Sequence, residues 1–306
     1  MSNSDTTIFS RPLWVMFFAL TAAVAWGWAY PLIKLGFDEF AITSSMTAAK
    51  MLFAGVRFSM AGLVLLFIAR ITKRSFKVVS KGGWMYIVTF ALLNTALHYM
   101  FFYIGLSHSA GARAAILNSL GTFLLVLLAC IFFKSDRFTV RKIVGCIMGF
   151  AGIMALNMGG EQGGGFTFKG DGMIVLNALC AAFAGLMTRG LGRRVDVFVG
   201  TGYSLAIGGV MLLVPSLIMG GALPRITFSG LVILLMLTTI SAMCFALYNK
   251  LLTCNPVGKV AIYNSLIPVV GAVTSCLCLN ELFYWKYVVA ALLAMLGIYV
   301  INSEKR

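Results

Sequence analysis

AAILNSLGTF (Ala114–Phe123) and VAIYNSLIPV (Val260–Val269) carry the same Asn-Ser-Leu in the same apolar setting, nearly half the chain apart. The likeness continues downstream. Gly145, Gly149, Gly152 and Asn157 align with Ala290, Ala294, Gly297 and Asn302 after a one-residue shift. Both copies therefore read small-xxx-small-xx-Gly, a pattern that lets helices approach closely in lipid. Between them lies GGEQGGGFTFKGD, a flexible polar linker.

Composition says what is repeated. The chain has 306 residues, 60% hydrophobic and 11% charged, with a mean hydropathy of +0.96. A soluble domain carries about 25% charged residues, and a bilayer-crossing helix needs roughly 20 mainly apolar ones. Such stretches recur at Leu13–Leu35, Thr47–Ala69, Trp84–Leu106, Ala110–Phe133 and Ile143–Met158. They resume at Met173–Leu191, Val197–Met219, Phe228–Leu251, Val260–Leu279 and Tyr287–Ile301. The pattern predicts an all-α membrane protein of ten transmembrane helices, with no soluble domain. Five helices per copy is an odd number, so the second copy enters the membrane in the opposite sense. Residues 13–158 and 173–303 are thus expected to be inverted five-helix repeats joined by a linker over 159–172. Inverted repeats around a midplane site are a common transporter architecture.

The leader MSNSDTTIFSRP holds one arginine, and the apolar stretch after it is too long for a signal-peptide h-region. It is read as the first membrane helix. The net charge of +15 is not a nucleic-acid signal, because its distribution follows the membrane. With the N-terminus inside, 17 basic residues fall on the inner side and five (Lys50, Arg113, Lys169, Arg225 and Lys286) on the outer. Such a split places both termini in the cytoplasm and fits a bacterial inner membrane. The seven cysteines lie mostly in apolar helices, and Cys276 and Cys278 are about 200° apart around one helix. They read as small packing residues, with no metal and no cofactor implied.

Several stretches resemble a known family. AWGWAYPLIKLG (Ala25–Gly36) looks like the first helix of the EamA-type transporters of the drug/metabolite transporter superfamily, a Trp-Gly pair ahead of a lysine. AGVRFSMAGLVLLFIAR (Ala54–Arg70) resembles their second helix, and YNSLIPVVGAVTSCLCLNELFYWKYVVAALLAMLGIYVIN (Tyr263–Asn302) their closing segment. The resemblance implies ten helices in two inverted halves and the outward movement of small metabolites or drugs. Two positions depart from the duplication: Thr122 stands where the second half has Pro268, and Ser135-Asp136 where it has Asn280-Glu281.

The candidate site is a set of polar and aromatic residues at helical spacing. Trp26, Tyr30 and Lys34 form one stripe at i, i+4, i+8. Lys34 either joins the pathway or snorkels to the interface near Asp38 or Glu39. Trp28 points elsewhere. Pro31 and Pro268 lack an N–H and clash with the carbonyl four residues back, those of Gly27 and Asn264. They are expected to kink the two halves beside a wet pocket, since free backbone at membrane depth needs one. Arg57 lies half-way along the second helix, where a charge costs at least roughly 2.5 kcal/mol. It must face protein, as a structural charge bonded to carbonyls or as a substrate contact. Asn94 and His98 stripe the third helix with Phe102. Asn118 stands on the fourth, Asn177 on the sixth, Tyr248 on the eighth with Ser241 and Phe245, and Asn264 on the ninth. Any one of them alone reads as interhelical glue. Together they line a small pocket of mixed polarity suited to an amino acid or a related metabolite.

Other classes fare worse. Two histidines and nine acids, the acids all in loops or at helix ends, offer no acid–base or metal cluster for an enzyme. No charged ring or filter loop suggests a channel, and no G-x-x-x-x-G-K-[ST] suggests ATP. Transport is expected to be secondary or uncoupled, with a small-molecule substrate and the bilayer as partners. Monomer and homodimer both remain open.

The charge pattern makes one firm prediction. In intact cells lacking other reactive thiols, an impermeant thiol reagent should label Gly163→Cys and spare Ser75→Cys; labelling of Ser75→Cys would invert the scheme.

Overall fold

The structure is a computed structural model that describes residues 8–79, 81–132, 139–157, 166–255, 260 and 262–302. Asp136, residue 158 and residues 159–165 of the linker lie outside the described residues. The described chain is helical, with no strand. Helix α1 is Pro12–Glu39, α2 Thr47–Ile71, α3 Gly83–Ser107, α4 Gly111–Phe132 and α5 Val140–Asn157. Helix α6 is Met173–Leu191, α7 Val197–Ile218, α8 Phe228–Cys254, α9 Leu266–Leu279 and α10 Trp285–Asn302. Among the described residues, seven helices are long and apolar enough to cross a membrane, and two shorter apolar helices end the chain. Local chemistry starts several of them. Pro12 opens α1 at a position where its missing N–H costs nothing. The Asp196 carboxylate accepts from the N–H groups of Phe198 and Val199 at the start of α7, and the Thr227 hydroxyl accepts from Gly230 at the start of α8.

Two helix pairs form close antiparallel contacts through small residues. In α2 and α7, Gly55 meets Gly209 and Gly62 meets Gly202. A Cβ on Gly62 would lie 2.3 Å from the backbone nitrogen of Ala206 and 2.7 Å from the Gly202 carbonyl. In α5 and α10, Gly145 meets Gly297 and Gly152 meets Ala290, with a Cβ on Gly145 only 2.5 Å from the Gly297 carbonyl. Without water to drive helices together in lipid, this close approach supplies dispersion contacts that larger side chains would block. Other neighbours include α1 with α8 and α9, α4 with α9 and α6, and α3 with α6. These six helices, with α2, surround the centre of the molecule.

Three of them are irregular there. In α4 the helix breaks at Ser119, between Gly111–Asn118 and Leu120–Phe132. The Ser119 N–H reaches the Ile116 carbonyl at 3.1 Å, and the Thr122 N–H reaches Ser119 at 3.0 Å. Both are three-residue steps, tightened by the Ser119 hydroxyl donating to Ile116 at 2.7 Å. Before α9 the aligned residues Ile262–Ser265 form a 3₁₀ turn. Pro268 therefore sits in the first turn of α9, where a missing N–H is tolerated. The break precedes the proline, and α4 makes its own with Thr122 in that place. Helix α1 runs through Pro31 to Glu39 as one helix. Helix α3 widens into a π turn at Leu92–Leu97, immediately before His98.

Two basic residues counted on the outer side from sequence lie in the first turns of helices and are buried. Lys50 is 0% and Arg113 4% exposed. The Lys50 ammonium donates to the Ser44 carbonyl and the Ser107 hydroxyl, and Arg113 forms a two-pronged ion pair with Asp171 at 2.8 Å. Their side chains close gaps between helices rather than reaching water.

The α2–α7 contact yields a stability prediction. Gly62→Val forces backbone apart and should cost about 1–3 kcal/mol, read as a lower unfolding temperature in detergent. Leu63→Val, on the exposed face next to it, should change little; equal effects would mean that the close approach contributes nothing special.

Candidate functional site

A cavity of about 200 Å³ lies at the centre, walled by α1, α2, α3, α4, α6, α8 and the turn into α9. It runs from Ile33 on α1 to Leu252 on α8 and Thr188 on α6, which are within a turn of the ends of their helices. The helix break at Ser119 and the residues Asn264 and Pro268 all border it. Backbone that leaves regular helix geometry at this depth is thus turned toward the cavity and away from lipid.

Of the residues singled out from sequence, Trp26, Tyr30, Asn94, His98, Asn118, Tyr248 and Asn264 line this cavity, as do Pro268 and Arg57. They come from helices far apart in sequence. Trp26 packs edge-to-face on Phe245 and Tyr248, with centroids 5.5 and 5.2 Å away, and Tyr30 on Phe102 at 5.4 Å. The Asn264 amide donates to the Tyr248 hydroxyl at 2.7 Å. On the opposite wall, Asn118 accepts from the Asn177 amide. Asn177 is fully buried behind Asn118 and does not border the cavity, so it orients a wall residue. The π turn of α3 brings Asn94 within 3.4 Å of the Ser204 hydroxyl. His98 stacks edge-on against Tyr99 at 4.4 Å, and its Nδ1 is buried with no hydrogen-bond partner among the described residues.

Lys34 is elsewhere. One turn beyond Tyr30, its ammonium forms a 2.8 Å ion pair with Glu281 in the α9–α10 loop. The stripe read from sequence ends at Tyr30, and the partner is neither Asp38 nor Glu39. The same carboxylate accepts from the N–H groups of Gly111 and Ala112 at 2.7 and 3.1 Å. Glu281 thereby caps the positive end of α4 while neutralising a lysine of α1. This three-way junction ties α1, α4 and the α9–α10 loop together next to the cavity residue Ile33, and Phe37, three residues beyond Lys34 on α1, packs on Phe53 and Tyr103. Trp28 faces outward, 43% exposed on a surface suited to lipid. Pro31 is buried and does not line the cavity.

The wall also holds residues that sequence reading passed over, among them Tyr99, Thr188 and Asn249. Asn249 donates to Thr201 on α7 at 3.0 Å. It was discoverable as an amide inside an apolar helix, like Asn94 and Asn118. Ala181, Gly185 and Thr188 form a small-residue stripe on α6 at i, i+4, i+7, one face of a helix.

Known proteins resemble this chain in sequence and, in one case, in fold. A family model described as the EamA-like transporter family matches residues 13–158 and 168–303. An uncharacterized transporter of Bacillus subtilis, YvbV, is 27% identical over 92% of this chain and 90% of its own. The chloroplastic WAT1-related protein At3g02690 of Arabidopsis thaliana is 28% identical over 72% of this chain, a match that spans 55% of that longer protein. A solved crystal structure superposes with a TM-score of 0.69 at 17% identity, covering 94% of this chain and 95% of its own, a likeness of fold.

Tyr30→Ala should impair transport roughly five- to tenfold while leaving membrane insertion near normal, because it removes a wall ring whose packing on Phe102 is worth about 1 kcal/mol. Trp28→Ala should be mild. Efflux from cells expressing each variant is the measurement; equal efflux by wild type and Tyr30→Ala would make the wall a packing feature.

Proposed function

The chain belongs to the EamA-like transporter family, and from that membership we propose a secondary or uncoupled transporter that exports amino acids or related small organic metabolites by alternating access. The observation that carries the reading is the central cavity, walled by amides and aromatics from both halves of the chain. Amides and hydroxyls fix the polar end of a solute, and Trp26, Tyr30, Phe102 and Phe245 receive an apolar side chain. At about 200 Å³ the cavity is smaller than the roughly 300–1,000 Å³ of sites for drug-sized ligands. That favours small solutes over multidrug or nucleotide-sugar-like substrates.

All ten helices, in this reading, cross the membrane as two inverted repeats, residues 13–158 and 173–303 joined by 159–172. The helix contacts support it. Exchanging each helix of one half for its counterpart turns the α1–α9 contact into α6–α4 and the α1–α8 contact into α6–α3, and all four are present. The α2–α7 and α5–α10 pairs map onto themselves. The positive-inside orientation puts the Lys34–Glu281–α4 junction on the outer side. The described conformation is then sealed outward, with the cavity reaching toward the cytoplasm, the state in which an exporter loads. Opening outward requires the junction to part.

Counterflow in reconstituted vesicles tests the proposal. Vesicles preloaded with a mixture of standard amino acids should take up labelled amino acid from outside. On a background without other cysteines, oxidising the pair Lys34→Cys and Glu281→Cys should arrest this exchange, and reduction should restore it. Exchange that continues in the cross-linked protein would rule out the junction as a gate. Movement of bulky drugs in place of amino acids would overturn the substrate class.

A further inference from the structure

Arg57 is 1% exposed in the middle of α2 and borders the cavity. Its Nε donates to the Leu237 carbonyl at 3.1 Å and to the Ser241 hydroxyl at 2.8 Å, and its Nη1 donates to the Tyr103 hydroxyl at 2.8 Å. Its guanidinium carbon lies 4.9 Å from the Phe58 ring and 6.0 Å from the Tyr99 ring. Every one of these partners is neutral. Among the other cations within helices, Lys34 and Arg113 face the carboxylates of Glu281 and Asp171, and Lys50, near the start of α2 and away from the cavity, is held by the Ser44 carbonyl and the Ser107 hydroxyl. Arg57 faces no carboxylate among the described residues, and no acid lines the cavity. Its Nη2 makes no hydrogen bond among the described residues.

A guanidinium cannot shed its proton to escape burial, so the charge stays and needs compensation. Three hydrogen bonds donated to α8 and α3 hold it in a fixed plane, and Nη2, with the second N–H of Nη1, is left to engage a carboxylate. We propose that Arg57 is the anion anchor of the cavity, and that the solutes carried bear a carboxylate that pairs with it. The rest of the solute then falls among Trp26, Tyr30, Tyr99 and Phe245. Amines and amides that lack the carboxylate leave Arg57 unpaired and are excluded. This inference rests on the amino-acid reading above and sharpens it to the group recognised.

The test compares the standard amino acids with their amides, their decarboxylated amines and amine-free acids such as 4-methylpentanoate. Ligands that bind the folded state raise its unfolding temperature, which ranks them on purified protein. Acids, with or without the amine, should raise it and be carried, whereas amides and amines should do neither. Arg57→Gln should weaken the best acid at least tenfold. Arg57→Lys, keeping the charge without the fork, should recover part of that loss. The wild-type comparison of acid and amide stands even where a variant fails to fold. Amides that bind as tightly as their acids overturn the anchor and leave amino-acid transport standing. A panel in which no member binds overturns both.

Discussion

In lipid no water is available to satisfy a backbone group that leaves its helix, and this constraint organises the molecule. The Asn-Ser-Leu sequence breaks helix geometry once in each half, at Ser119 in α4 and just before Leu266 at α9. Both irregular segments must face protein or a cavity, and they face the same cavity. The π turn of α3 obeys the same rule and aims Asn94 and His98 inward. A polar pocket is thus the consequence of where the helices are interrupted, and its chemistry is set by the amides that flank the interruptions.

A second division separates packing from opening. The α2–α7 and α5–α10 pairs meet backbone to backbone through glycines, a geometry with little freedom to slide. The cavity helices meet through rings, amides and one ionic junction. Edge-to-face rings and neutral hydrogen bonds tolerate rearrangement at modest cost, each worth on the order of 1 kcal/mol. The two glycine pairs therefore suit a frame about which the other helices move.

Much of the fold was legible in the sequence because lipid demands long apolar runs and because small-residue spacing survives in both halves. The wall residues from Trp26 to Asn264 were legible for a related reason: an amide or hydroxyl within an apolar helix has few places to go. What escaped was whatever depended on distant pairing. Glu281 as the partner of Lys34 joins residues 247 apart, and no local spacing encodes it. The break at Ser119 escaped because proline, the expected signal, is absent there, and a serine hydroxyl bonded back to Ile116 does the work instead. The π turn leaves no mark in a hydropathy pattern at all. Asn177 looked like a wall residue because periodicity assigns a face, and a face does not say whether another amide stands in front.

Two cations of the first half, Lys34 and Arg57, illustrate how placement decides role. Lys34 and Arg57 are both basic residues in apolar helices, and both were read from sequence with a structural alternative. Lys34, one turn beyond the cavity, meets a carboxylate that is already committed to the N-terminus of α4. Its charge is neutralised within the protein, so its pull acts between α1, α4 and the α9–α10 loop. Arg57 has its geometry fixed by neutral groups and its charge left uncancelled. Its field therefore extends into the cavity, where low dielectric strengthens it. A cation balanced by the fold works as a fastener, whereas one balanced only by what enters selects the entrant. The same charge ties helices together in one place and, as proposed above, recognises the solute in the other.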